Sequence, residues 1–190
     1  MRKIAGYQLS EGVSEKVFSD SCAMIFESSR VVTVLSKSHG FFEIEEEDLG
    51  LIEVLKSHLN QTLGIGMTVI ITHRWDDVAW AGLNVAIRHS KGSMIYLADA
   101  LLYERIEQES ACFMALDKQL ENLPRELLQT AEAFIASGCK ATFAASRLYI
   151  HRNTFAYRLN QFIEKTQLDI RDFHHARLFQ LWWMIKSRNN

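Results

Sequence analysis

The sequence predicts an α+β chain in two parts: an N-terminal mixed sheet with packed helices, then an all-α domain. Three observations carry this. β-branched runs alternate with helical periodicity through the first hundred residues, and no strand pattern follows Leu101. Charge is polarised in the same sense: residues 1–139 hold 12 Lys+Arg against 20 Asp+Glu (−8), and residues 140–190 hold 9 against 3 (+6). With 190 residues, 48% of them hydrophobic, the chain can bury a sizeable core without metals or disulfides.

The elements follow in order. Ala23–Phe26 and Val31–Ser36 read as two short strands joined by a polar turn at Glu27–Arg30. Glu45–Asn60 reads as a helix, with Leu49, Ile52, Leu55 and Leu59 on one side. Its opening acids, Glu45 to Asp48, suit the positive end of a helix dipole, a fuller account of them than a cation site. Gly64 and Gly66 lead into a strand over Met67–Thr72. They lack the further glycine and the Lys-Ser/Thr of a phosphate loop. Asp76 and Asp77 open a helix that stops near Lys91-Gly92, and Ser93–Leu97 forms a last strand. Leu101–Leu120 is apolar-periodic, Pro124 is the one proline, and Glu126–Ala136 is a helix ended by Gly138. The expected domains are 1–115 and 116–190, with the boundary between about Glu109 and Pro124.

Residues 141–163 are the most informative stretch. A first helix, Ala141–Leu148, carries the small pair Ala144 and Ala145 where helices must cross closely, and Ile150 fills a tight turn. A second helix, from Arg152 to about Lys165, places Phe155, Leu159 and Phe162 on one face, leaving Asn153, Tyr157, Asn160 and Gln161 on the other. A helix-turn-helix needs this arrangement, its second helix entering the DNA major groove. Arg152 suits a phosphate or a guanine, Asn153 and Gln161 suit adenine, and Thr154 and Tyr157 can donate to phosphate. Arg158, beside the buried face, suits a phosphate or a structural ion pair, while Lys140 and Arg147 flank the first helix as backbone contacts. Two amphipathic helices with a short turn also occur in helical proteins that bind no DNA, so an adaptor using the helical tail stays open on spacing alone. A nucleotide-binding or protein-interaction module built on the N-terminal sheet is the other alternative.

The run AASRLYIHRNTFAYRL, Ala144–Leu159, resembles the Fis-type helix-turn-helix, and Ser137–Leu181 is similar to the C-terminal domain of the PucR/CdaR family of bacterial transcription regulators. His151–Thr154 followed by Tyr157–Leu159 is the most specific part. The resemblance implies that Arg152, Asn153, Thr154, Tyr157 and Arg158 lie in the recognition helix, with double-stranded operator DNA as partner. Tyr149 departs from it, since Fis-type sequences often have glycine there. The family commonly carries a degenerate GGDEF-like domain upstream, and the order of elements from Ala23 to Leu97 is similar to one. The segment matched to its hairpin, Phe26–Arg30, has no glycine and a single carboxylate, so cyclase chemistry is not expected. The family's usual N-terminal sensory domain has no counterpart in these residues, leaving the effector unread.

No catalytic residue, cofactor or metal is expected. Cys22, Cys112 and Cys139 are too widely spaced for a CxxC site, and His174-His175 point about 100° apart on a helix. Neither a secretory signal nor an apolar span of about 18 residues is present, so a cytoplasmic location is expected. On the last helix Leu178, Leu181, Trp182 and Ile185 form a stripe that Trp183 cannot share, which suits a homodimer reading paired half-sites.

Overall fold

The computed structural model describes residues 2–26 and 32–189, and these fall into two compact units, Met1–Cys112 and Phe113–Asn190. The first is built on a five-stranded sheet of order β2-β3-β1-β4-β5, comprising β1 (Arg2–Leu9), β2 (Val32–Val34), β3 (His39–Glu45), β4 (Met67–Thr72) and β5 (Met94–Tyr96). β1 is central and antiparallel to both β3 and β4, with Tyr7 opposite Gly40 on one side and Val69 on the other. β5 joins β4 in parallel. The two parallel strands are linked by the crossover helix α3 (Asp77–His89).

Alternation along β1 sends Ala5, Tyr7 and Leu9 into a core with Met67, Val69 and Ile71. That face is covered by α1 (Glu15–Ile25) through Phe18 and Cys22, and by α2 (Leu51–Leu63) through Ile52, Leu55 and Leu59. Tyr7 stacks on Phe18 at 4.3 Å between ring centres. On the opposite face Gly6 leaves the room that the Trp75 ring occupies, and Gly82 of α3 does the same for Leu97. Leu97 begins α4 (Leu97–Ile106), which packs on α3. The N-cap of α3 is Asp76, whose carboxylate accepts from the backbone N–H of Val78 and Ala79 at 3.0 Å and pairs with Arg74.

Four sequence expectations need correction here. Ala23–Ile25 is the last turn of α1, not a strand, because Phe18, Ser21 and Cys22 recur at helical spacing and Ser14 caps the helix through Val17 N–H. The expected turn at Glu27–Arg30 lies outside the described residues. β1 and most of α1 had no counterpart in the expected order. The acidic run Glu46–Asp48 is a single 3-10 turn, and α2 starts only at Leu51. The described antiparallel hairpin is β2–β3, closed through Leu35–Ser38, where Ser36 Oγ bonds His39 Nδ1 at 2.6 Å.

The second unit is helical: α5 (Ala111–Leu120, shared with the unit boundary), α6 (Arg125–Ala136), α7 (Ala141–Arg147), α8 (Arg152–Thr166) and α9 (Phe173–Asn189). Leu127, Ala131 and Phe134 of α6 are buried, and Phe134 meets Phe155 of α8 at 6.1 Å between ring centres. Phe162 of α8 packs edge-on against Phe179 of α9 at 5.2 Å. Trp182 is buried and its indole N–H donates to Asp117 at 3.0 Å, while Trp183 stays half-buried. His175 is buried, and the N–H groups of His174 and His175 are both capped by Asp172 at 3.0 Å.

Candidate nucleic-acid interface

The pair α7 and α8 is set by small residues. Ala144 and Ala145 are buried, at 0% and 4% exposure, which lets the helices approach closely. Ala145 C=O accepts the Ile150 N–H at 3.1 Å and Ala144 C=O accepts the Leu148 N–H at 3.1 Å, closing the turn in four residues. Tyr149 takes φ +53°, the left-handed conformation that a glycine adopts freely. The departure from glycine therefore leaves the turn's geometry intact and puts a fully exposed aromatic ring at its apex.

α8 buries Phe155, Leu159, Phe162 and Thr166, one side of a 3.6-residue period. Arg152, Asn153 and Thr154 are exposed together in its first turn, and Ala156, Tyr157 and Asn160 continue the outer side. Gln161 is half-buried and donates from Nε2 to the Tyr157 hydroxyl at 2.8 Å, so these two act as one bonded pair. Arg158 stands apart from the others: it is half-buried and its guanidinium meets Glu126 of α6 at 3.3 Å. The structure thus realises the ion-pair alternative for Arg158. Lys140 and Arg147 are exposed at the two ends of α7, and the Lys140 ammonium lies 5.7 Å from the Phe143 ring centre.

The cap of α8 was not part of the sequence reading. His151 occupies the N-cap position in extended backbone, and its Nδ1 accepts the Asn153 N–H at 3.2 Å. A histidine is outside the usual Ser, Thr, Asp and Asn set, so residue type alone did not signal it. Among the described residues no group of three or more His, Cys, Asp or Glu gathers to hold a metal, and no helix is long and apolar enough to cross a membrane.

Two helices at a four-residue turn, with an apolar inner face and a polar, non-acidic outer face on the second, define a helix-turn-helix DNA-binding domain. Comparison with known proteins points the same way: residues 127–186 match the PucR C-terminal helix-turn-helix domain. The proline-responsive transcriptional activator PutR of Bacillus subtilis (strain 168) is 39% identical over 70 residues, covering 37% of this chain and 17% of PutR. A leucine-rich protein of Streptococcus dysgalactiae subsp. equisimilis is 25% identical over 148 residues, 68% of this chain and 52% of that protein. The chain therefore spans about half or less of these relatives' lengths. The crystal structure of a regulator of polyketide synthase expression from Bifidobacterium adolescentis aligns over 100% of this chain and 81% of its own, with TM-score 0.50 and 13% identity, a likeness of fold.

Proposed function

We propose that the chain is a sequence-specific DNA-binding transcription regulator that reads the major groove with α8 and acts as a homodimer in the cytoplasm. The observation that carries this reading is the exposed first turn of α8, where Arg152, Asn153 and Thr154 stand side by side on a helix anchored by Phe155, Leu159 and Phe162. In this reading Arg152 and Asn153 address base edges, Thr154 and Tyr157 address phosphates, and Gln161 contributes through its bond to Tyr157. Lys140 and Arg147 bracket the duplex backbone from α7. Arg158 holds α8 on α6 and leaves the phosphate role to its neighbours.

The N-terminal unit is, in the same proposal, a degenerate GGDEF-like module without turnover. The observation supporting this is the β2–β3 hairpin, whose connection, Leu35-Ser36-Lys37-Ser38, offers no carboxylate to a metal.

The test is an anisotropy titration of the full chain with DNA from its own upstream region, over a salt series, against Arg152→Ala/Asn153→Ala. Two cations on phosphates, Lys140 and Arg147, give a slope of log K against log salt of about −1.8 per subunit. The double variant is expected to keep its fold and lose discrimination between operator and random DNA. A chain that ignores DNA at low salt, or a double variant that discriminates like wild type, overturns the assignment.

A further inference from the structure

We propose that His151 is a DNA-backbone contact in its own right, a neutral donor to phosphate whose orientation is fixed by its capping of α8; this rests on the DNA-binding reading above. Capping uses one ring nitrogen as an acceptor: Nδ1 takes the Asn153 N–H at 3.2 Å. A neutral imidazole has one acceptor and one donor nitrogen, so occupation of Nδ1 as acceptor assigns the proton to Nε2. His151 is exposed. The bond at Nδ1 also limits rotation of the ring, so the Nε2–H donor is held in place before DNA arrives.

A second observation, independent of the cap, points to the ligand. His151 lies inside the segment matched to the PucR helix-turn-helix domain, directly before Arg152, Asn153 and Thr154, the exposed turn assigned to the groove. A donor at that position meets the duplex where the helix crosses from one phosphate strand into the groove, and backbone phosphates are the acceptors there. A Ser or Asp would cap equally well but would not supply a distal N–H donor: the spare oxygen of Asp only accepts, and the Ser hydroxyl sits directly on Cβ. The histidine thus performs two tasks from one ring: Nδ1 sets the helix start, and Nε2 sets the helix on the DNA.

The two tasks separate by substitution. His151→Ser keeps a preferred capping oxygen and removes the distal donor; His151→Ala removes both. The full chain and each variant are titrated against operator and random DNA, with melting followed in parallel. The expected result is that His151→Ser melts like wild type yet binds both DNAs about 10-fold to 100-fold more weakly, as loss of a hydrogen bond to a charged acceptor implies. The salt slope stays unchanged, since a neutral donor releases no counterion. A scan of single methylphosphonates along the operator should find one phosphate whose neutralisation weakens wild type and leaves His151→Ser unaffected.

Wild-type affinity in His151→Ser, with weakening confined to His151→Ala, reduces His151 to a cap and overturns the proposal. If Ser fails to preserve the melt, His151→Thr supplies the same cap and is read the same way. A wild-type chain that binds no DNA removes the DNA-binding reading itself, and is distinguishable because Arg152→Ala then also changes nothing.

Discussion

Tyr149→Gly tests the turn of the helix-turn-helix most directly. Tyr149 has φ +53°, and a residue with a Cβ in the left-handed region carries roughly 1–2 kcal/mol of strain. Its side chain is 97% exposed, so removing it forfeits no burial, and its N–H bond to Ser146 C=O at 3.1 Å is available to glycine as well. Against the relieved strain stands the larger entropy that glycine loses on folding, about 0.5–1 kcal/mol. The balance is a gain of about 0.5–1 kcal/mol for the C-terminal unit, or roughly 2–8 °C in its melting transition. Tyr149→Ala retains the Cβ and with it the strain, so it should melt within about 0.5 kcal/mol of wild type. Both variants are compared by the thermal loss of helical signal. A glycine variant that melts with or below the alanine variant refutes the argument, because backbone strain at residue 149 would then not govern the turn.

Further outcomes follow from packing elsewhere. Asp117→Ala strips the buried Trp182 indole of its acceptor and Lys186 of its ion pair, and should destabilise the C-terminal unit by about 1–3 kcal/mol in urea titration; Asp117→Asn, which keeps an acceptor, should lose less. At Gly40 an added Cβ would collide with the Thr33 carbonyl, a backbone atom that cannot swing aside, so Gly40→Ala should open the β2–β3 pairing, read as faster amide exchange in that hairpin. A thiol reagent should label Cys139 alone in the folded chain at neutral pH, with Cys22 and Cys112 reacting only after unfolding. Burial pushes the Cys22 thiol up to about 12, above its unfolded value near 8.5. The stability linked to that thiol is therefore complete below about pH 8.5 and is lost as pH climbs towards 12, a decline that Cys22→Ala should reduce.

The α6–α8 region was legible because its signals are local. Pro124 precedes α6, Gly138 follows it in the left-handed region at φ +63°, and the apolar spacing of Phe155, Leu159 and Phe162 survives intact as the buried face of α8. The strand Met67–Thr72 was legible for the same reason, as a short apolar run bounded by glycine. β1 was not, because a central strand is defined by its neighbours. It buries Lys3 and Gly6 along with its apolar residues, so polar and apolar positions do not alternate cleanly along Arg2–Leu9. α1 buries Phe18, Ser21 and Cys22 and packs Ile25 only partly against the core, and its apolar C-terminal end, Ala23–Phe26, reads equally well as a strand until its neighbours are known. At the candidate site the same division holds. Exposure of Arg152, Asn153 and Thr154 follows from period, whereas the Arg158–Glu126 pair joins residues 32 apart in sequence and the His151 cap depends on a ring orientation.

That division bears on how α8, the proposed reading helix, would distribute its work. Of the side chains on or beside the outer side of α8, Tyr157 and Gln161 already bond each other and Arg158 is held by Glu126. Breaking a bond to make one with DNA returns only the difference, so under the proposed reading these three should contribute less to binding than their types suggest. Arg152, Asn153 and Thr154 have exposed side chains for which such a trade is not required, and they occupy the turn that a groove-inserted helix presents first. Alanine at each position orders the outcome. Arg152→Ala and Asn153→Ala should each cost about 1–3 kcal/mol of discrimination between operator and mutated operator. Arg158→Ala should leave discrimination unchanged and instead lower the melting transition, through lost packing of its half-buried stem and a weak exposed ion pair. An Arg158→Ala variant that melts like wild type but fails to discriminate would place Arg158 on the bases and reverse the order derived from its partner.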